Sequence, residues 1–321
     1  MASLYAAAAR RRRRHFATHP DLRRRLSRPV LSIGNIAAGG RAKTPLAAYV
    51  AARLRDLGER PAILSRGYGR RDAADGVVVV RDPNGIRADL DRAGDEPLML
   101  ARQLEGVSVL VCPDRYLAGR LAEHHLDTTV HVLDDGFQHF PLHRDADIVV
   151  VGEADLPSEA SQPRTLPSGR LREPVDALAA ADALICLECR ERMADGGRPT
   201  WHARRRQQGA PIAHPVVAVA GIAEPSGFFR DLRAAGWTIA REMRYRDHHR
   251  YSAADLEDIA AAARAAGAPA IVTTEKDFVR LLPFRPFAVP VSYVPLTLEL
   301  DDAAGFDAWL RTRLSAARST P

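Results

Sequence analysis

The chain has 321 residues, of which 46% are hydrophobic and 27% charged, with a formal net charge of +6. The length suits two α/β units better than one core, the composition excludes a disordered chain, and no stretch supplies the roughly 18 consecutive apolar residues of a spanning helix. Three cysteines, Cys112, Cys186 and Cys189, argue against a disulfide framework and fit a reducing compartment.

The first 29 residues read as a basic arm. Nine arginines (Arg10 to Arg14, Arg23 to Arg25 and Arg28) stand there against one acid, Asp21. The arm alone carries more positive charge than the whole chain, so the body is close to neutral. A nucleic-acid-binding protein spreads its basic residues over a folded face, so no nucleic-acid partner is expected. The arm lacks the apolar core and small-residue cleavage site of a signal peptide. It reads either as a solvated helix or frayed terminus, or as a segment drawn to an anionic membrane surface.

From Val30 onward, short apolar runs alternate with helical patterns. Strands are predicted at 30–33, 62–65, 77–80, 107–112, 130–133, 148–151 and 183–187, with helices at 45–57, 94–104 and 114–125. This alternation predicts a P-loop NTPase-like, doubly wound, mainly parallel α/β sheet. Residues 190–215 are polar and rich in Gly and Pro, and they read as the approach to a domain boundary. A second, smaller α/β lobe follows, with strands at 216–220 and 270–274 and helices at 226–235, 253–266 and near 306–314. The expected division is an arm of residues 1–29, a kinase-like domain of 30–205 and a lobe of 206–321.

Ligands of such sheets bind at the carboxyl ends of the strands. After the first strand come Gly34, Asn35, then Gly39, Gly40, Arg41, Ala42, Lys43, Thr44 and Pro45. Strand, glycine-containing loop, Lys-Thr and helix form the context of a phosphate-binding loop. Backbone N–H groups at the helix start face the anion. Lys43 reaches the β- and γ-phosphates, and the Thr44 hydroxyl takes a place on Mg²⁺. Ala37 and Ala42 stand where this motif normally has glycine. At Ala42 a positive φ would cost about 1–2 kcal/mol, whereas a right-handed conformation would cost little. A plain strand-to-helix turn with a surface lysine is the competing reading.

The run from Val130 to His139 strengthens the nucleotide reading. An apolar strand ends in Asp134-Asp135, followed by Gly136, Phe137 and Gln138. A carboxylate at a strand end beside a phosphate loop suits a Mg²⁺ site, although Asp-Asp-Gly is also good turn chemistry. Arg66, in Ser65-Arg66-Gly67-Tyr68-Gly69-Arg70, can hold phosphate. Asp95 in Gly94-Asp95-Glu96-Pro97 is either a helix cap or, with Glu96, a base or metal partner. Cys186-Leu187-Glu188-Cys189 is a lone C-x-x-C on a predicted strand, where positions three apart face opposite sides, so it receives no metal or redox role. Thr273–Asp277 is read as packing and turn chemistry.

In this order, and together with Pro113-Asp114-Arg115, Asp247-His248-His249 and Thr273-Thr274-Glu275-Lys276-Asp277, these motifs resemble the tetraacyldisaccharide 4′-kinases from about Val30 to Tyr293. The resemblance implies an enzyme of two α/β lobes that uses ATP and Mg²⁺. It would phosphorylate the 4′-hydroxyl of a lipid A disaccharide precursor, tetraacyldisaccharide 1-phosphate, to give lipid IVA. Its place would be peripheral, at the cytoplasmic face of the bacterial inner membrane. The resemblance also implies that Lys43 and Thr44 serve the phosphates, that Asp95 is the catalytic base with His248 as partner, and that Glu96, Asp134, Asp135 and Gln138 surround the metal and phosphates. Two features depart from the family: Ala42 in place of glycine, and an arginine-rich arm in place of a longer apolar segment. A P-loop GTPase or ATPase of the metal-insertion or targeting kind is the alternative, disfavoured by the lack of an Asn-Lys-x-Asp motif. A catalytically dead lipid-binding relative is another. Oligomeric state is not legible.

Overall fold

The computed structural model describes residues 2–39, 42–71, 76–158, 162–189 and 197–319. The chain divides into two compact units, one of Met1–Arg205 with Leu298–Pro321 and the other of Arg206–Thr297.

The first unit contains strands β1 (Val30–Asn35), β2 (Pro61–Ser65), β3 (Val78–Asp82), β4 (Gly85–Ile86), β5 (Ser108–Val111), β6 (Val130–Asp134), β7 (Ala146–Val151), β8 (Ala183–Leu187) and β9 (Thr200–Gln207). After the second unit's strands β10 (Val216–Ala220), β11 (Ile239–Arg244), β12 (Ala270–Thr274) and β13 (Val291–Val294) comes β14 (Leu296–Leu300), which lies beside β9. Among the described residues the large sheet has ten strands in the order β14-β9-β8-β7-β1-β6-β2-β5-β3-β4. Its centre is parallel: β1 pairs with β6 and β7, β2 with β5 and β6, and β8 with β7 and β9. β3 runs antiparallel to its neighbours β4 and β5, and the backbone bonds Gln208 N–H to the Pro295 carbonyl and Asp301 N–H to the His202 carbonyl make β14 antiparallel to β9.

Every residue of β1, β6 and β7 is buried. That is why these strands read as nearly continuous apolar runs rather than as alternating ones: helices cover both faces of a parallel sheet. Helix α1 (Ala2–Thr18) precedes the sheet; α2 (Lys43–Asp56), the short α3 (Leu90–Ala93), α4 (Asp95–Gln103) and α5 (Arg115–His125) follow its strands. Helix α2 buries Leu46, Val50 and Leu54 at helical spacing and packs on β1, β2 and β6. The chain passes from β6 on one side of β1 to β7 on the other, so β1 stands at a topological switch point.

Helix α1 is not a frayed terminus. Its alanines and arginines are strong helix formers, yet it buries only Ala6 and so has no apolar face to dock with. Polar and aromatic contacts hold it instead. Arg10 pairs with Asp176 at 2.7 Å, Phe16 stacks on Phe140 with ring centroids 5.6 Å apart, and the Thr165 hydroxyl donates to the Ala2 carbonyl at 3.0 Å.

The second unit is a four-stranded parallel sheet, β11-β10-β12-β13, with helices α6 (Pro225–Ala234), α7 (Ala253–Ala265) and α8 (Glu275–Leu281). Alternate residues of β10 serve its two faces. Val216, Ala218 and Ala220 meet Phe228, Phe229 and Leu232; Val217 and Val219 meet Ile259, Ala263 and Leu281.

Three expectations change. First, residues 298–321 belong to the first unit and not to the C-terminal lobe. Helix α9 (Ala303–Ser319) buries Phe306, Leu310 and Leu314, four residues apart, and Phe306 meets the Trp201 ring edge at 5.0 Å. Asp307, itself buried, takes both ends of the Arg53 guanidinium from α2. Second, the polar stretch before the boundary contains β9. Its Arg204-Arg205-Arg206 run hides the alternation that buries Trp201 and Ala203. Third, Cys186 and Cys189 form a disulfide, with Cα atoms 5.8 Å apart. The strand ends at Leu187, and Glu188 takes a positive φ of 54°, which turns Cys189 back and suspends the opposite-face rule.

The placement of α9 is testable. Phe306→Ala removes a fully buried ring, which costs about 3–5 kcal/mol and lowers Tm by roughly 6–20 °C. The measurement is thermal unfolding by tryptophan fluorescence in a Trp237→Phe background, where both remaining tryptophans, Trp201 and Trp309, belong to the first unit. An unmoved transition would contradict this docking.

Candidate active site

The register Ile33↔Asp134 sets the loop after β1 beside the carboxylate that ends β6. Lys43 opens α2, and its Nζ lies 2.9 Å from Asp135 Oδ1 and 3.3 Å from Asn35 Oδ1. The Thr44 hydroxyl donates to Asp134, 3.3 and 3.4 Å from its two oxygens. Gly34 permits this closeness: a Cβ there would overlap Phe137, directly after the aspartate pair. Gly40 and Arg41, both expected to bind nucleotide, lie outside the described residues. Gly39, at φ 95°, is among them and has open space where a Cβ would stand.

The two aspartates differ because their surroundings differ. Asp134 is buried, with the charges of Glu96 and Asp135 nearby; burial and that repulsion outweigh Lys43 and push its carboxyl up to about 7. Burial also works against the Asp135 charge, but Lys43 and Arg172 prevail and hold it below the ordinary carboxylate range. Arg172 donates to Asp135 Oδ2 at 2.8 Å. The Arg115 guanidinium is 5% exposed; burial first, and then the charge of Arg66, lower its pKa, against the pull of Asp134 and Asp135. His139 is pushed down to about 4 by burial and by Arg115 and Arg144, so it is neutral near pH 7.

The surplus negative charge of Asp134 and Glu96 beside a hydroxyl suits a hard divalent cation. The donors are all oxygen, the set Mg²⁺ prefers, and Mg²⁺ keeps waters and phosphate oxygens for its remaining positions. Among the described residues no three His, Cys, Asp or Glu side chains form a ready metal cage.

Asp95 is not the helix cap. Gly94 holds that position at φ 84° and ψ 163°, a conformation that glycine adopts readily. Asp95 is the first residue of α4, is 9% exposed, and accepts from the Glu96 N–H at 2.9 Å. Gln138 donates through Nε2 to the Asn35 carbonyl and to Glu173, each at 2.9 Å. Arg66 is exposed just after β2.

His248 belongs to the second unit. Its Nδ1 accepts from Arg280 Nη2 at 2.8 Å, while Nε2 faces Lys276 Nζ at 3.3 Å and Asp247 Oδ1 at 3.5 Å. Its φ of 145° is strained for a non-glycine residue. Arg280 is fixed in turn by Asp277, which is fully buried and also accepts from Tyr251, Thr274 and the Gly221 N–H. The Thr273–Asp277 segment thus builds the buried support behind His248.

Arg172 and Glu173 were not legible as site residues. They lie in the aperiodic stretch between β7 and β8, and backbone bonds bring that stretch to the phosphate loop: Arg172 N–H to the Ile36 carbonyl at 2.6 Å and Ala38 N–H to the Arg170 carbonyl at 2.7 Å. Three arginines, Arg164, Arg170 and Arg172, around Pro167 and Gly169 were the one available signal.

Ala42 answers the question left open by the sequence. It sits at φ 52° and ψ 27°, left-handed, as the cap of α2. The strain is about 1–2 kcal/mol. Ala42→Gly relieves it but loosens the unfolded chain by about 0.4–1 kcal/mol. The expected outcome is a small gain, up to roughly 1.5 kcal/mol, read as a raised Tm. A lowered Tm would contradict the left-handed geometry.

The whole chain has relatives. The profile of the Tetraacyldisaccharide-1-P 4'-kinase family matches residues 1–315, so the match includes the arginine-rich arm as well as the motifs from Val30 onward. A Tetraacyldisaccharide 4'-kinase of Geobacter sulfurreducens is 37% identical over 96% of this chain and 90% of its own length. One from Anaeromyxobacter dehalogenans is 42% identical over 81% of this chain and 74% of its own. The crystal structure of LpxK from Aquifex aeolicus in complex with ATP superposes with a TM-score of 0.82 at 30% identity, covering 98% of this chain and 97% of that one. With a parallel sheet that carries Lys43, Thr44, Asp134 and Asp135 at its carboxyl edge, the chain belongs to the tetraacyldisaccharide-1-phosphate 4′-kinase family.

Proposed function

We propose that this chain moves the γ-phosphate of ATP to the 4′-hydroxyl of tetraacyldisaccharide 1-phosphate by the following division of labour. The observation that carries the reading is the seating of Lys43 on Asp135 and of Thr44 on Asp134 at adjacent strand ends. Lys43 neutralises the β- and γ-phosphates, as phosphoryl transfer requires. Gly39, Gly40, Arg41 and Ala42 are the proposed phosphate-loop ligands, and Arg66 and Gln138 complete the nucleotide's surroundings. Thr44, Glu96, Asp134 and Asp135 are the residues that would hold Mg²⁺, which supplies charge neutralisation when bound. The strain at Ala42 does not displace Lys43 or Thr44, which argues against a dead relative.

A sugar hydroxyl is a poor nucleophile at neutral pH. Asp95 takes its proton as the oxygen bonds to the γ-phosphorus and the bond to the β–γ bridging oxygen breaks, releasing ADP. His248, held in one ring orientation by Arg280 within the second unit, is the second residue proposed for catalysis. A kinase assay on the disaccharide, with the product phosphate located, tests the roles together. Lys43→Met leaves folded protein with activity nearly abolished. Asp95→Ala and His248→Ala each lower kcat by roughly 10²–10⁴-fold. Their double variant loses far less than the product of the two, because residues acting as a unit are non-additive. Multiplying losses would end the pairing, and full activity of Lys43→Met would end the phosphate-loop assignment.

We further propose that the enzyme works at an anionic membrane surface without crossing it. Among the described residues no helix is long and apolar enough to span. Helix α1 exposes Leu4 and Tyr5 along with Arg11, Arg12 and Arg14. Each basic residue near such a surface contributes about 1 kcal/mol. Replacing Arg11, Arg12 and Arg14 by Gln weakens binding to anionic vesicles by up to roughly a hundredfold at low salt, and the difference shrinks at high salt. Equal binding would place the membrane contact elsewhere.

A further inference from the structure

Arg13 differs from the other arginines of its run. Its Nε and Nη2 donate to the two oxygens of Glu173 at 2.7 and 2.8 Å, a two-pronged pair. Its guanidinium lies over the Phe137 ring at 4.1 Å and over Phe140 at 5.0 Å. Glu173 is 3% exposed. The same Glu173 Oε1 that meets Arg13 accepts from Gln138 Nε2, which also donates to the carbonyl of Asn35, the last residue of β1. The Asn35 side chain in turn accepts from Lys43. A continuous set of hydrogen bonds therefore runs from the N-terminal helix to the phosphate-loop lysine.

The chemistry of this set fixes more than position. An ionised carboxylate and a backbone carbonyl are both acceptors only. Both must therefore face the NH₂ end of the Gln138 amide, and the amide oxygen must point the other way. That oxygen is buried and has no partner among the described residues. Gln138 thus offers a ligand an acceptor, suited to a cation-held water and not to a bare phosphate oxygen. Without a cation at Arg13, Glu173 would be a buried charge lacking its partner, and the amide would lose what orients it.

We propose that Arg13 is a positioning residue of the nucleotide site, which orients the Gln138 amide through Glu173 and makes the seated N-terminal helix part of that site. The proposal rests on the assignment of Gln138 to the nucleotide's surroundings.

The test uses the full chain in detergent micelles, so that membrane binding does not enter, with ATP KM and kcat measured at saturating disaccharide. Arg13→Gln raises the ATP KM about tenfold, what about 1.4 kcal/mol produces, with kcat within about threefold. Arg13→Lys, which keeps the charge but not the fork, recovers part of the loss. Glu173→Gln behaves like Arg13→Gln, because an amide can present either end to Gln138. Gln138→Ala raises KM similarly, and adding Arg13→Gln to it changes nothing further. Arg230→Gln, which removes an exposed arginine of the second unit, leaves KM unchanged. An Arg13→Gln protein with a lowered Tm but an unchanged KM would overturn the proposal, as would losses that multiply with those of Gln138→Ala. Should Arg13→Gln not fold, the Lys and Glu173 variants decide in the same way. An unchanged KM in Gln138→Ala would remove the assignment of Gln138 itself, a result distinct from failure of the relay.

Discussion

A carboxylate buried at the end of a parallel strand must be compensated, and around Asp134 the compensation is incomplete. Lys43 and Arg172 are drawn to its neighbour Asp135, and Glu96 adds a further negative charge nearby. Water cannot settle the imbalance, because Asp134 is only 4% exposed. The site therefore carries a standing demand for positive charge, which a divalent cation would meet. The arrangement of loops follows from that demand. The loop that carries Lys43 leaves the carboxyl end of β1, beside the end of β6, while Glu96 arrives at the start of α4.

The same demand explains the arginines. Arg66 and Arg115 stand close enough to oppose one another, an unfavourable arrangement that the nearby aspartates offset only in part. Cations held together against their own repulsion suit a ligand with several negative charges, and a triphosphate has them. On the other side, Arg172 and Glu173 arrive on a loop with no periodic secondary structure, sewn to β1's continuation by backbone hydrogen bonds. Through Glu173 the basic arm is joined to the same centre. Arg13 thus faces inward and Arg12 lies over the Phe140 ring, while Arg11 and Arg14 are exposed.

Of the five non-glycine residues with positive φ among the described residues, three are candidate site residues. Ala42 and Asp135 both take positive φ values, 52° and 58°, and both flank Lys43's contacts. His248, at φ 145°, repeats the pattern in the second unit. Such conformations persist only when the surroundings over-determine them. Around Ala42 the surroundings are the cap of α2 and the Lys43–Asp135 pair; around His248 they are Arg280 and the buried Asp277 network.

By itself the sequence determined the parallel core, because strands buried on both faces must be apolar throughout, and Val30–Ile33, Val130–Leu133 and Ala183–Leu187 are nearly so. It also determined the residues of chemistry that follow those strands, since Lys43, Thr44, Asp134 and Asp135 sit at fixed short offsets from strand ends. Only the tertiary structure decided what depends on distant parts of the chain. The docking of α9 on α2 and β9 joins residues some 250 positions apart through Arg53 and Asp307, and no local pattern announces it. The left-handed Ala42 is a property of a φ angle, and alanine does not declare its φ. The roles of Arg13, Arg172 and Glu173 come from an aperiodic loop and a charged arm, whose composition favours solvent. A hydrogen-bond network with partners about 160 residues apart overrode that preference.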